Sequence, residues 1–176
     1  MIQEKINTKE LFESFDDCRF NLVELVTSLS EKQINTIPFE NSWNAGQVME
    51  HVTKSNTGIA KALNIEGKPA DRKPDERVEE LKDMFLDFTI KFKSPEFIRP
   101  TKNSYSKETV TEDLENSVEL LKEVSRNANL AESIKHPAFG EITKLELLHF
   151  VKFHMLRHLR QLKNIAERLD KNKRIS

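Results

Sequence analysis

The sequence predicts an all-α protein built as a four-helix bundle, with an accessory helix in the connection between its second and third helices. Four segments of about 20 residues each carry apolar side chains at steps of three and four, which is the period of one helix face. The chain has only four glycines and six prolines, and 32% of its residues are charged, a composition typical of amphipathic helices in water. No alternating segment of useful length predicts a strand. A chain of 176 residues is expected to form one domain, residues 1–176.

The first helix is predicted over residues 8–30 and the second over residues 45–65. The apolar face of the first helix consists of Leu11, Phe12, Phe15, Cys18, Leu22, Leu25, Val26 and Leu29. Pro38 and its polar neighbours break the helical period between the two helices. Asn44 or Ser42 is therefore expected to cap the second helix.

The connection after the second helix is long and charged, and it contains a further helical pattern over residues 76–93. This pattern predicts the accessory helix, which is expected to contact the bundle through Phe85, Phe88 and Phe92. The charged run at residues 72–77, RKPDER, is expected to be solvated surface. A loop at residues 94–106 then leads to the third helix, predicted over residues 107–127. Such a long crossover allows the second and third helices to run parallel.

The fourth helix is predicted over residues 144–169 and is the longest of the set. The preceding stretch, KHPAFGEIT, is predicted to be a turn. Thr143 and Glu146 have the spacing of a capping box, in which each side chain binds the backbone N–H of the other residue. This pair is expected to fix the start of the fourth helix.

Charge and cysteine content exclude several classes of function. Lys and Arg number 28 against 29 Asp and Glu, so the formal net charge of -1 favours neither nucleic acid nor an anionic membrane as a partner. No apolar run approaches the roughly 20 residues of a membrane helix, and the first residues lack the apolar core of a secretory signal. Cys18 is the single cysteine, which excludes an internal disulfide and fits a reducing compartment. We expect a cytoplasmic protein in which Cys18 is a small core residue.

The five histidines differ in where helical geometry places them. His154 and His158 are four residues apart, so they lie about 40° apart around one helix and about 6 Å apart along it. His149 is nine residues before His158 and lies on roughly the opposite face. His51 lies on the apolar face of the second helix and should point to the same bundle interior as His158. His136 falls in the predicted turn and is expected at the surface.

His51, His154 and His158 together predict a mononuclear metal site. Three imidazoles from two neighbouring helices can occupy three positions around a divalent ion, zinc or nickel by ligand type, and leave others open for water or substrate. The alternative is that each ring is a hydrogen-bonded core residue, although three buried imidazoles without a shared partner leave ring nitrogens unsatisfied. Gln47 and Gln161 are the expected partners that orient the ring N–H groups.

The neighbours of these histidines exclude two familiar kinds of metal chemistry. Met155 follows His154 at the position where a metalloprotease helix needs its general base, a glutamate. A di-iron bundle needs glutamates three residues before its histidines, and Val48 and Met155 occupy those places before His51 and His158. Trp43, just before the second helix, is expected to pack over the end of the bundle.

Two segments resemble the motifs of a known family. SWNAGQVMEHV, residues 42–52, resembles the W-[ST]-x-x-[QE]-x-x-x-H-[LV] pattern of the DinB/YfiT-like superfamily, with Asn44 in place of the usual Ser or Thr. HMLRHLRQL, residues 154–162, resembles the second motif of that superfamily, H-x-x-x-H-x-x-Q. The resemblance covers nearly the whole chain and maps the three metal-binding histidines of the family onto His51, His154 and His158.

The resemblance implies an up-down-down-up bundle and a metal-dependent enzyme acting on a small molecule. Members of this superfamily include S-transferases that use low-molecular-weight thiols and a thiol-dependent maleylpyruvate isomerase, and many are homodimers. We therefore expect a thiol S-transferase or a thiol-dependent isomerase or hydrolase, with a divalent metal and a low-molecular-weight thiol as cofactors. The alternative is a non-catalytic stress-response or ligand-binding bundle that holds a structural metal or none.

Overall fold

The four long helices form the predicted bundle in the computed structural model, which describes residues 6–175 and their side chains as far as residue 171. These helices are α1 (Lys9–Ser28), α3 (Ala45–Leu63), α5 (Lys107–Asn127) and α6 (Lys144–Ile175). Helices α1 and α3 each pack against both α5 and α6, so that α1 and α3 lie diagonally across one core. The prediction of a four-helix bundle with a long crossover between α3 and α5 is confirmed.

Predicted caps fix the starts of α3 and α6. The Asn44 side chain accepts a hydrogen bond from the backbone N–H of Gln47 (2.8 Å), and the Gln47 side chain accepts one from the backbone N–H of Asn44 (2.9 Å). Thr143 and Glu146 form the same reciprocal pair at the start of α6. Each pair satisfies backbone donors that have no partner within the helix. Gln47 is therefore a capping residue, and the prediction that it would orient a histidine was wrong.

A small antiparallel sheet that the sequence reading missed lies beside the bundle. It consists of β1 (Lys68–Pro69), β2 (Glu132–His136) and β3 (Gly140–Thr143), in the order β1-β2-β3. The predicted turn is only the middle of the β2–β3 hairpin, where Gly140 has a φ of 66°, a left-handed conformation that favours glycine. The strands have two to five residues, too few for an alternating pattern to stand out.

The crossover is less helical than predicted. Its accessory helix, α4 (Val78–Leu86), ends seven residues before the predicted end at residue 93, and the chain continues through a turn and irregular structure to a 3-10 helix at Glu96–Ile98. The Arg157 guanidinium donates hydrogen bonds to the backbone carbonyls of Phe85 (3.0 Å) and Asp87 (3.1 Å). These side-chain contacts satisfy the last carbonyls of α4 and take the place of another helical turn.

Two further helical boundaries differ from the prediction. A short helix, α2 (Glu31–Ile34), occupies the predicted connection and begins with a capping box between Ser30 and Gln33. Helix α6 reaches Ile175 rather than residue 169. No helix within residues 6–175 combines the length and apolar character that crossing a membrane requires.

The charged run at residues 72–77 is solvated surface only in part. Lys73, Asp75 and Glu76 are exposed as predicted, whereas Arg72 and Arg77 are half-buried and anchor the crossover. Both terminal nitrogens of the Arg72 guanidinium donate to the carboxylate of Glu146, whose side chain has 0% exposure. The same carboxylate accepts hydrogen bonds from the backbone N–H groups of Arg77 (2.8 Å) and Thr143 (3.0 Å). The prediction was wrong for Arg72 because a buried acid on α6 was available to pair with it. The pair ties the crossover to the start of α6.

Candidate metal centre

The bundle brings His51 of α3 together with His154 and His158 of α6. The three Nε2 atoms are 3.1 Å (His51 to His154), 3.0 Å (His51 to His158) and 3.1 Å (His154 to His158) apart. The residues are 3%, 5% and 9% exposed in that order, so the cluster is inside the protein. The set is the one predicted from helix faces.

Hydrogen bonds at the far side of two rings fix which nitrogen faces the cluster. His51 Nδ1 lies 2.9 Å from the backbone carbonyl oxygen of Ile98, and His158 Nδ1 lies 2.7 Å from the Oε1 atom of Gln161. A carbonyl oxygen only accepts hydrogen bonds, so Nδ1 of each ring carries the proton. The Nε2 atoms of His51 and His158 therefore present lone pairs to each other. The prediction that Gln161 orients a ring N–H agrees with this contact.

Three convergent imidazoles fit a divalent cation better than they fit one another. His154 can donate a proton from Nε2 toward one neighbouring lone pair at a time, and its Nδ1 atom is buried without a hydrogen-bond partner in the described residues. Three nitrogens at mutual distances of 3.0–3.1 Å can all lie about 2.0–2.1 Å from one point, which is the usual zinc–imidazole distance. The donor set is also of the type that zinc and nickel accept.

Burial keeps these imidazoles in the neutral form that binds metal. Burial lowers the pKa of His158 to about 3, with the neighbouring His51 acting in the same direction. Burial also lowers the pKa of His154 well below its usual value, and the other two imidazoles add to the effect. The pKa of His51 is lowered by burial, against the opposing hydrogen bond to Ile98. All three rings are therefore neutral at pH 7 and have lone pairs available.

Aromatic side chains pack against two of the three imidazoles. The Trp43 ring centroid lies 4.9 Å from that of His51, so Trp43 packs directly on a candidate ligand. Phe150 and Phe85 lie 5.1 Å and 6.4 Å from the His154 ring. This apolar shell is the cause of the lowered pKa values, since burial disfavours the charged imidazolium.

The other two histidines do not join the cluster. The half-buried His149 lies beside Phe153 on α6, with ring centroids 6.2 Å apart. His136 ends β2 and stacks on Phe139 at 5.1 Å. The position of His149 around the helix axis, roughly opposite His158, is enough to predict that it lies outside the cluster.

Sequence reasoning missed the contribution of the crossover to this centre. The Ile98 carbonyl holds His51, and Ser94 Oγ lies 3.4 Å from the same Nδ1 atom. Glu50, next to His51, binds the segment that carries Ile98 through its carboxylate. Every residue has a backbone carbonyl, so nothing in the sequence marks Ile98 as the partner of His51. The acidic Glu50 inside the pattern of α3 was the available clue.

These observations define a class of protein, a helical bundle whose core holds three convergent imidazoles that fit a divalent ion. The sequence profile of the DinB superfamily matches residues 14–162, and the chain belongs to that superfamily. The chain is 26% identical over 165 residues to the uncharacterized protein YuaE of Bacillus subtilis (strain 168), a match that covers 89% of this chain and 98% of YuaE.

Two solved structures share the fold. TT2238, described as a four-helix bundle protein, has a TM-score of 0.59 and 19% identity, over 90% of this chain and 99% of that one. A conserved protein from Enterococcus faecalis has a TM-score of 0.65 and 17% identity, over 94% of this chain and 98% of that one. At these identities the likeness supports the bundle architecture alone.

Proposed function

We propose that this protein is a mononuclear metal-dependent enzyme in which His51, His154 and His158 hold a divalent ion, zinc or nickel. The observation that carries the proposal is the triangle of Nε2 atoms at 3.0–3.1 Å in a buried site. Membership of the DinB superfamily supports it. A divalent ion at such a site acts as a Lewis acid that lowers the pKa of a coordinated thiol or water.

The residues of the chain prepare the site before any substrate arrives. Burial keeps the imidazoles neutral, and Ile98 and Gln161 hold the His51 and His158 rings by their Nδ1 protons. Fixed ring orientation is the usual contribution of such outer partners to metal affinity. Trp43 and Phe150 pack on the His51 and His154 rings and limit how they can turn.

The proposed reaction is transfer of a low-molecular-weight thiol to an electrophilic small molecule. The thiol releases its proton to solvent, a sulfur–carbon bond forms, and the leaving group departs with the electrons of the bond that breaks. A thiol-dependent isomerase or a hydrolase that activates water uses the same donor set. The motifs at residues 42–52 and 154–162 support this range of reactions by family resemblance.

A second candidate is a non-catalytic bundle in which a bound ion only stabilises the fold or a ligand complex. The low exposure of all three histidines, 3%, 5% and 9%, favours it because a catalytic ion needs an accessible position. Removing the ion with a chelator would then lower the melting temperature and change no thiol-transfer activity. Under the catalytic proposal, chelation abolishes activity and restoring the ion recovers it.

The test is metal analysis followed by an activity screen. Protein purified without chelators or an affinity metal should carry about one ion per chain, because three neutral imidazoles supply the protein ligands that an open zinc site needs. His154→Ala should lose the ion, whereas His149→Ala, on the same helix but outside the cluster, should keep it. Cysteine, glutathione and coenzyme A are then tried with aryl chloride and maleate electrophiles. Metal content far below one per chain in the wild type would overturn the proposal.

We further propose a cytoplasmic homodimer, the assembly that the family resemblance implies. Several large apolar side chains are exposed and could be covered in a dimer, including Phe20, Phe88, Phe92 and Phe97. Sedimentation equilibrium should give twice the 20.5 kDa chain mass. A mass of one chain at micromolar concentration would contradict the dimer.

A further inference from the structure

The segment from Ser94 to Tyr105 lies across α3 and reaches the candidate metal centre through its backbone. Its Ile98 carbonyl oxygen accepts the Nδ1–H of His51 at 2.9 Å. The regular structure in this part of the chain is limited to the short 3-10 helix at Glu96–Ile98. Secondary structure alone therefore does not fix where the Ile98 carbonyl sits relative to the imidazole.

The carboxylate of Glu50 holds the chain just after Ile98. Its oxygens accept hydrogen bonds from the Thr101 backbone N–H (3.1 Å), the Thr101 hydroxyl (3.0 Å) and the Lys102 backbone N–H (3.3 Å). The Tyr105 hydroxyl lies 2.5 Å from the same carboxylate. Glu50 is only 8% exposed, so these donors replace water around a buried charge.

Lys54, one turn later on α3, completes the attachment. Its ammonium group lies 2.7 Å from the Glu50 carboxylate and donates to the carbonyl of Arg99 (2.8 Å) and the hydroxyl of Thr101 (3.0 Å). Thr101, Lys102, Tyr105 and Lys54 all donate to this one carboxylate, so Glu50 is their common acceptor.

We propose that Glu50 is a positioning residue for the metal centre, acting on His51 through the chain at residues 98–102. Successive residues of a helix point about 100° apart, so Glu50 faces the crossover while His51 faces the bundle interior. The carboxylate fixes Thr101 and Lys102, and these fix the Ile98 carbonyl a few residues earlier. That carbonyl holds the tautomer and ring direction that aim the Nε2 lone pair at the cluster. The inference rests on the proposed metal site and adds a residue to it.

Glu50→Gln is the direct test, with Glu146→Gln as its matched control. Both replace a buried carboxylate that accepts backbone N–H groups and pairs with a cation, and both keep the side-chain volume. A glutamine amide at position 50 presents an N–H group to at least one of the donors from Thr101, Lys102 and Lys54, so this part of the chain must shift. The control disturbs the start of α6 and the first part of the crossover, at Arg72 and Arg77, instead.

The readouts are zinc affinity, by competition with a chromophoric chelator, and the visible spectrum of the cobalt-substituted protein. We expect Glu50→Gln to weaken zinc binding about tenfold or more and to change the cobalt bands, as loss of an outer partner does elsewhere. Glu146→Gln should lower the melting temperature yet keep the affinity and spectrum of the wild type. If Glu50→Gln and Glu146→Gln bind zinc equally tightly and give identical cobalt bands, the proposed role of Glu50 is overturned. The proposed metal site is not affected by that result. Absence of zinc binding by the wild type would instead overturn the proposed function.

Tyr105→Phe keeps the test decisive if Glu50→Gln does not fold. It removes one donor to the Glu50 carboxylate and leaves the charge pair with Lys54 in place. Its zinc affinity should be lower than that of the wild type, with a smaller change in the cobalt bands than Glu50→Gln would give. An affinity and spectrum unchanged from the wild type would overturn the proposal.

Discussion

Gln161 holds His158 from outside the cluster, with its Oε1 atom 2.7 Å from the ring Nδ1. Gln161 lies three residues after His158 on α6, where the two side chains are neighbours on one helix face. The amide oxygen accepts the Nδ1 proton, so the Nε2 lone pair points at His51 and His154. The contact orients one ring of the candidate metal centre through a side chain of the same helix.

Gln161→Leu should therefore weaken metal binding without unfolding the bundle. Loss of a partner that orients a ligand commonly costs about tenfold in affinity. Zinc titration of the apoprotein against a competing chelator measures the change. Asn164→Leu, at an exposed position one turn further along α6, is the control and should bind zinc like the wild type. An unchanged affinity in Gln161→Leu would show that the contact has no part in the site.

The buried pair between Glu146 and Arg72 should make stability depend on pH. Burial raises the pKa of Glu146, but the bonds from Arg72 and from the backbone of Thr143 and Arg77 outweigh it and lower the pKa below the ordinary 4.5. A carboxyl with a folded pKa below its unfolded one contributes stability above the unfolded pKa. That contribution is lost as the pH falls from 4.5 through the lower folded pKa.

Glu146→Gln should cost about 3 kcal/mol of unfolding free energy at pH 7, because the Arg72 guanidinium loses its buried partner. Urea denaturation of the wild type and the variant at several pH values measures the difference. The gap between them should narrow as the pH falls below 4.5, where the wild-type carboxyl begins to take up a proton in the unfolded chain. A gap that stays constant from pH 7 to pH 3 would mean that charge plays no part in this contact.

The sequence predicted the long helices and the histidine set for the same reason. An apolar face over about 20 residues repeats its period many times, and His51, His154 and His158 are placed by that period. The strands β2 and β3 have five and four residues, so their alternation repeats too few times to be recognised. The spacing of residues in the sequence predicts where a side chain points when the residue lies in a long periodic element.

Contacts made by the crossover could not be predicted in this way. The Ile98 carbonyl holds His51, but every residue has a carbonyl and nothing in the sequence singles this one out. The same limit applies to side chains within α3. Gln47 lies one turn from His51, which predicts a contact with that ring, but its side chain accepts from the backbone N–H of Asn44 instead. Arg72 was placed in solvent because its partner, Glu146, lies 74 residues away in sequence. Tertiary partners of irregular segments need the three-dimensional structure.

Cys18 should be an unreactive thiol in the folded protein. It is 4% exposed on the buried face of α1, and burial raises the pKa of its thiol to about 11. Iodoacetamide at pH 8 should therefore label the native protein far more slowly than the urea-unfolded chain, since only the thiolate reacts. Cys18→Ala should keep the metal content of the wild type, because the thiol belongs to the core and not to the histidine cluster. Rapid labelling of the native protein would contradict this assignment.

Arg157 should control how firmly the irregular part of the crossover, residues 87–93, is held on α6. Its guanidinium donates to the backbone carbonyls of Phe85, Asp87 and Ile90 and lies 4.9 Å from the Phe92 ring centroid. Arg157→Met removes all three hydrogen bonds while it keeps an unbranched side chain of similar length.

The variant should be cut at Lys91 and Lys93 several-fold faster by a protease specific for lysine, because both residues are exposed and the irregular chain there loses its anchor. The rate of appearance of the two fragments, followed by mass spectrometry, measures the effect. Arg126→Met is the control, since Arg126 lies over Phe12 on another face of the bundle and its loss leaves the crossover untouched. Equal cleavage rates in the two variants would mean that contacts other than those of Arg157 hold the segment in place.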